Sequence, residues 1–191
     1  MLRKFMKNYP ILKIHTNKRE YIRNINNSIK NNKMSMGPKC FELEKKIAEF
    51  LKVKNVVLTT SGTSALMMGT ILSNLKPHDK VIISNLAWVA ATNPVLIMGG
   101  DLRVVDTEPK SEIVNYDKLN EAIIKIQPKL VILVHLNGQS KYNKEFDKLK
   151  KKYGFFVIED AAQAFLTKSD IKNKYCGTLY DVGCYSLSIA K

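Results

Sequence analysis

The chain has 191 residues, 45% of them hydrophobic and 25% charged, an ordinary composition for a globular protein that buries a core. No apolar run approaches the roughly 20 residues of a membrane helix, and the N-terminus lacks the apolar segment of a signal peptide, so we expect a cytoplasmic protein without membrane partners. The formal net charge of +14 would suit a nucleic-acid binder.

The basic residues are distributed in a way that argues against nucleic-acid binding. Of the 31 basic residues only Arg3, Arg19, Arg23 and Arg103 are arginines, although nucleic-acid readers favour arginine for its bidentate contacts. The lysines are scattered, many of them beside asparagines, and the run 148–152 has the helical spacing typical of a solvated helix face. We therefore expect no nucleic-acid partner.

The cysteines and histidines lack the spacing of a metal site. Cys40, Cys176 and Cys184 form no CxxC pair, and the histidines are far apart in the sequence. We expect reduced thiols and no bound metal.

The N-terminal region differs in composition from the rest of the chain. Residues 1–36 are polar and rich in Lys and Asn, which predicts an arm with one helix near residues 18–31. Gly37 and Pro38 mark a break, and Pro38 suits the first turn of the amphipathic helix that continues to about residue 51. We expect two parts, an arm over residues 1–36 and a main domain over residues 37–191.

Short apolar segments alternate with helical patterns through the main domain. Strands are predicted over residues 56–60, 80–84, 102–106, 130–135, 155–159 and 182–188, and helices over residues 63–75, 88–98, 117–126 and 143–153. The strands are apolar on both faces, which predicts an α/β fold with a mainly parallel sheet flanked by helices. Ligands of such sheets bind where the strands end.

The segment TTSGTSA, residues 59–65, leaves a predicted strand and opens a helix. Gly62 allows a close approach of the backbone to an anion. Thr63 and Ser64 offer hydroxyls and free helix amides, which favours a phosphate site. Taken alone, Ser or Thr before a helix is more often an ordinary N-cap.

Another strand exit, in VIEDAAQA, places Asp160 and Gln163 one helical turn apart. Asp160 could cap a helix or bind a metal. It could also keep the ring nitrogen of pyridoxal phosphate (PLP) protonated, as that cofactor's electron-sink chemistry requires. Trp88 follows a third strand, and it could pack in the core or stack on a flat cofactor.

The chain ends with the run YSLSIAK, in which Ser186 and Lys191 are five residues apart. A lysine after an apolar stretch is usually a surface residue. It can also form a Schiff base with a carbonyl if its surroundings lower its pKa, and its amine can then move a proton. Together with Asp160 and Gln163, this ordered set indicates a PLP enzyme.

These motifs resemble the nucleotide-sugar aminotransferase family (the DegT/StrS group) of fold-type-I PLP enzymes. The resemblance runs from about residue 36 to residue 191, through TSGTSAL, LVHLNGQ, VIEDAAQA and CGTLYDVGCYSLSIAK. It implies an incomplete PLP-binding large domain with the C-terminal small domain absent. It also implies a homodimer that transfers an amino group, with glutamate as the expected donor, to a nucleotide-linked keto-deoxysugar.

The resemblance implies a role for each site residue. Lys191 would bind PLP covalently, Asp160 would pair with the pyridine nitrogen, Gln163 would contact the ring oxygen, and Trp88 would stack on the ring. The phosphate would be held by Gly62, Thr63 and Ser186, with Ser64 as a further candidate. The substrate would be bordered by His135 and Asn137.

Two alternatives stay open at this point. If the chain ends at Lys191, the sheet and the site are both incomplete, and the protein would be an inactive remnant of such an enzyme. PLP-dependent sugar dehydratases share the fold, but in them the family's lysine is a histidine. Lys191 therefore favours amino transfer.

Overall fold

The computed structural model describes residues 17–171 and 174–188. Its helices are α1 (Lys18–Lys30), α2 (Pro38–Leu51), α3 (Gly62–Leu72), α4 (Val89–Ile97), α5 (Tyr116–Ile126) and α6 (Lys144–Tyr153). Its strands are β1 (Lys80–Ser84), β2 (Asp101–Val105), β3 (Leu130–Val134), β4 (Phe156–Asp160) and β5 (Val182–Cys184). Strands and helices thus alternate from α3 to β4, as the sequence predicts.

The five strands form one parallel sheet in the order β2-β1-β3-β4-β5, which confirms the predicted fold class. The chain moves outward from β1 to β2 and then crosses back to β3, so the strand order reverses between β1 and β3. Register places Val134 beside Asp160 and Asp160 beside Cys184. The ends of β3, β4 and β5 therefore meet at one edge of the sheet, where ligands of such folds bind.

Helices cover both faces of the sheet because the strands are apolar on both sides. Val81 and Ile83 pack on one face with residues of α3 and α4. Ile82, which lies between them, packs on the other face with residues of α5 and α6. This alternation along one strand is the two-residue period of a β-strand buried on both faces.

The predicted strand over residues 56–60 is wrong. The segment has no regular secondary structure, and no strand lies beside it among the described residues. The amide of Leu58 instead donates to the Glu44 side chain at 2.8 Å. The strand predicted over residues 182–188 is shorter than expected, because its partner β4 ends at Asp160 and the chain turns there.

The N-terminal region is only partly described, since residues 1–16 lie outside the described part of the chain. Helix α1 matches its prediction and has no buried residue. The division into an arm and a main domain stays a prediction. Within residues 17–171 and 174–188, no helix combines the length and apolar character needed to cross a membrane.

Candidate active site

A cavity of about 230 Å³ lies over the ends of the strands, as expected for this sheet. Its walls come from the start of α3 and from the segments that follow β1, β3, β4 and β5. The structure brings seven of the predicted site residues to this cavity: Gly62, Thr63, Trp88, His135, Asp160, Gln163 and Ser186. Ser64 and Asn137 do not line it, and Lys191 lies outside the described residues.

The N-terminus of α3 forms one end of the cavity. Ser61 caps this helix by accepting from the Ser64 amide at 3.1 Å, and the first intrahelical bond runs from the Ala65 amide to the Ser61 carbonyl. The amides of Gly62 and Thr63 precede that bond, so they have no partner within the helix. With the positive end of the helix dipole, they suit a bound phosphate.

Ser64 belongs to the helix cap rather than to the cavity. Its hydroxyl lies 2.8 Å from the Thr60 hydroxyl and 3.0 Å from the Ser61 hydroxyl. The N-cap interpretation that the sequence left open therefore describes Ser61 and Ser64.

Ser186 lies against the same helix terminus, although it is far from Gly62 in the sequence. A Cβ atom placed on Gly62 would be 3.1 Å from Ser186 Cβ and 3.4 Å from the Tyr185 carbonyl oxygen. Glycine thus allows the segment that follows β5 to approach the start of α3 closely. The Ser186 hydroxyl accepts from the Ser188 amide at 3.3 Å, and its own proton can be donated to an anion.

Gly62→Ala is expected to weaken phosphate-ester binding about tenfold, because the added methyl pushes Ser186 away from the helix amides and loses about one hydrogen bond. The affinity for PLP can be measured by titration. Gly37→Ala is the matched control, since Gly37 also stands at a helix N-terminus, as the N-cap of α2, and its added Cβ would meet only Ser35 O, at 3.8 Å. Equal affinities of the two variants would contradict the role of Gly62.

Asp160 places a buried carboxylate in the cavity wall. It ends β4, is 5% exposed, and its Oδ1 accepts from the Ala162 amide at 3.1 Å. That bond holds the side chain at the strand exit. A carboxylate in such a site stabilises a cationic group near it far more than in water, because little solvent screens the charge.

The thiol of Cys184 lies next to Asp160 in the sheet. Burial, and to a smaller extent the negative charge of Asp160, raises the pKa of Cys184 to about 12. The unfolded thiol loses its proton near its ordinary value of 9.0, so between these two values the unfolded chain binds fewer protons than the folded one. The contribution of this thiol to the free energy of unfolding is therefore fully present below pH 9. It is lost as the pH rises toward 12.

Between pH 9 and 12 the free energy of unfolding is expected to fall less steeply with pH in Cys184→Ala. The difference in slope is about 1.4 kcal/mol per pH unit. The measurement is urea unfolding of both proteins at several pH values above 9. An unchanged slope would show that Cys184 ionises equally in both states.

Gln163 reaches the cavity from the turn after β4. Its Oε1 accepts from the backbone amide of Asn137 at 2.9 Å, so its NH2 group is the end that can donate to a ligand. Asn137 contributes this amide from a 3-10 turn, Leu136–Gly138, with its own side chain directed to Glu112. The contact that Asn137 makes to a residue of the cavity is this backbone bond to Gln163, and its predicted place at the substrate stays a prediction.

Trp88 is 71% exposed and immediately precedes α4. Its place in the cavity wall excludes the core-packing alternative. An exposed indole in the wall of this cavity offers a flat face for an aromatic ligand.

His135 and Glu159 form a buried pair that the sequence did not predict. His135 Nε2 lies 2.9 Å from Glu159 Oε1, and Glu159 is fully buried. Glu159 also accepts from the amides of Gly177, Leu179 and Tyr180 at 2.8–3.0 Å. The carboxylate therefore anchors the loop that leads into β5 and orients His135 in the cavity wall.

Comparison with known proteins identifies the family. The model of the DegT/DnrJ/EryC1/StrS aminotransferase family matches residues 15–191. The chain belongs to this family. The resemblance seen in the sequence motifs is thereby confirmed.

Several family relatives have named activities or solved structures. The chain is 34% identical over 131 residues to the 3-oxo-glucose-6-phosphate:glutamate aminotransferase of Bacillus subtilis, covering 69% of this chain and 30% of the relative. It is 34% identical over 157 residues to the UDP-2-acetamido-2-deoxy-3-oxo-D-glucuronate aminotransferase of Pseudomonas aeruginosa, covering 82% and 43%.

A solved structure also resembles this chain in both fold and sequence. NtdA from Bacillus subtilis, crystallised with bound PMP, matches with a TM-score of 0.74 and 29% identity, covering 91% of this chain and 41% of NtdA. The chain therefore spans less than half the length of each of these three proteins.

Proposed function

We propose that this chain forms the cofactor-binding part of a PLP-dependent aminotransferase that acts on a keto sugar. The observation that supports this is the convergence of a helix N-terminus, a buried carboxylate, an amide donor and an exposed indole on one cavity. These four features lie in three separate segments of the chain, and each matches one chemical part of PLP.

The residues present fit PLP group by group. The amides of Gly62 and Thr63, with the Ser186 hydroxyl, would hold the phosphate. The NH2 group of Gln163 would donate to the ring oxygen, and Trp88 would cover one face of the ring. When bound, PLP supplies an electron sink for charge that develops on the substrate carbon.

Asp160 would hold a proton on the pyridine nitrogen. An ionised carboxylate near that nitrogen favours its protonated form, typically by one to three pKa units. The apolar part of the wall, from Leu66, Ala90 and Val134, excludes water and strengthens this interaction. Lys191 would anchor the cofactor and move the proton through its amine.

For the substrates we propose glutamate as the amino donor and a nucleotide-linked keto-deoxysugar as the acceptor. The Bacillus relative is named for glutamate and a 3-oxo sugar phosphate, and the Pseudomonas relative for a UDP-linked 3-oxo sugar. A keto sugar is common to both names. The presence of Lys191 favours amino transfer over the dehydratase alternative.

The test is transfer of a nitrogen label. PLP-loaded protein is incubated with 15N-glutamate and either a nucleotide-linked or a phosphorylated keto sugar, and the products are analysed by mass spectrometry. We expect the label in the nucleotide-linked amino sugar. Label only in the sugar phosphate would correct the acceptor, and no label with either acceptor would contradict the proposed activity.

We further propose a cytoplasmic homodimer. Apolar side chains on the outer faces of α1, α3 and α4 are more than half exposed, among them Ile22, Ile71 and Leu96. Such surfaces are typical of protein interfaces. Light scattering at several concentrations is expected to give twice the mass of the chain, and a monomer at all concentrations would contradict the proposal.

A further inference from the structure

We propose that Glu112 is a positioning residue for Gln163 and acts through the turn that contains Asn137. This inference rests on the proposed function, in which Gln163 contacts the ring oxygen of PLP. Glu112 lies in the loop after β2 and does not line the cavity.

The orientation of the Gln163 amide is set by a partner that can only donate. The backbone amide of Asn137 points at one end of the Gln163 side chain, at 2.9 Å. Because a backbone N–H cannot accept, the atom that it meets must be the oxygen. The NH2 group then lies at the other end, where it can donate to an anionic ring oxygen.

The backbone conformation of Asn137 directs its amide N–H toward Gln163 Oε1. Its φ of 52° and ψ of 25° are left-handed, a conformation that is uncommon for residues other than glycine, although asparagine tolerates it better than most. A turn of this kind persists when surrounding contacts hold it.

Glu112 supplies those contacts on two sides of the turn. Its Oε1 accepts from Asn137 Nδ2 at 3.4 Å, and its Oε2 accepts from Gln139 Nε2. Gln139 in turn accepts from the Ser111 hydroxyl at 3.3 Å. One carboxylate therefore links the loop after β2 to the turn after β3, and the turn links to Gln163 after β4.

The same loop provides a matched control. Glu108 Oε2 accepts from Asn115 Nδ2 at 3.1 Å, and its Oε1 lies 3.5 Å from Lys141 Nζ. Glu108 has the same charge and the same loop environment, but its partners are Asn115 and Lys141. Glu108→Ala thus removes a carboxylate without cutting the link to Gln163.

The first measurement needs no cofactor. Hydrogen exchange of the Asn137 amide is expected to be about tenfold faster in Glu112→Ala. Without Glu112, the hydrogen bond from this amide to Gln163 is formed for a smaller fraction of the time. Glu108→Ala should leave this rate unchanged, and Ile132 in β3 should stay protected in both variants. Unchanged exchange at Asn137, or equal loss of protection at Ile132, would overturn the proposal.

The second measurement separates positioning from a general structural role. Trp88 is the single tryptophan, so its fluorescence reports binding of PLP and of the 3-deoxy analogue that lacks the ring oxygen. Glu112→Ala is expected to weaken PLP binding roughly threefold to tenfold and to leave binding of the analogue within about twofold. Gln163→Ala should behave in the same way, and the double variant should be no weaker than Gln163→Ala alone.

The outcomes distinguish this inference from the proposed function. Equal weakening of both ligands in Glu112→Ala would overturn the positioning role. If the unaltered protein binds neither ligand, the proposed function fails, and the link from Glu112 to the cofactor fails with it. Faster exchange at Asn137 in that case would still show that Glu112 holds the turn.

Discussion

Asp160→Asn is expected to lower the rate of amino transfer roughly a hundredfold, within a range of 10-fold to 1,000-fold. Asparagine has nearly the same shape and can still accept from the Ala162 amide, which now bonds Asp160 Oδ1 at 3.1 Å. What it lacks is the negative charge that keeps the pyridine nitrogen protonated. The measurement is the half-reaction of PLP-loaded protein with glutamate, followed by cofactor absorbance.

The control for this prediction is another aspartate that follows a strand. Asp106 comes directly after β2 and pairs with Lys118 at 2.6 Å on the surface. It does not line the cavity. Asp106→Asn should leave the half-reaction unchanged, whereas a similar loss in both variants would show that charge at the site is not the cause.

Glu159→Ala is expected to lower the free energy of unfolding by roughly 3–5 kcal/mol, the usual cost of removing one partner from a buried charged contact. The carboxylate accepts from three backbone amides and lies 2.9 Å from His135 Nε2. Without it, these donors stay buried with no acceptor. Urea denaturation measures the change.

Glu145 is the control for this second prediction. It is half exposed on α6 and pairs with Lys148 at 2.9 Å. Since an exposed ion pair contributes little, Glu145→Ala should cost less than about 1 kcal/mol. A cost for Glu159→Ala no greater than that for Glu145→Ala would contradict the anchoring role of Glu159.

The sequence predicts the sheet and most of the site because both depend on local patterns. The β-branched runs predict β1 to β4 within one or two residues. Asp160, Gln163 and Trp88 follow strands of that sheet, and the ends of parallel strands meet at one edge. The spatial approach of Ser186 to Gly62 follows from the same topology.

The remaining features depend on contacts between distant segments. Residues 56–60 have strand-like composition, but a strand needs a neighbour, and the described sheet offers none there. In the sequence Glu159 is simply the carboxylate next to Asp160. Its role depends on the amides of the loop 177–180, which are close to it only in the folded chain. Glu112 carries no local signal, because its partners lie 25 and 27 residues further along the chain.

Borohydride reduction of PLP-loaded protein, followed by peptide mapping, tests the central claim most directly. The cavity residues and the family motif together predict that PLP binds covalently to Lys191. We expect a single reduced adduct, located on the peptide that contains this lysine. An adduct on any other lysine, or no adduct at all, would contradict the proposed site.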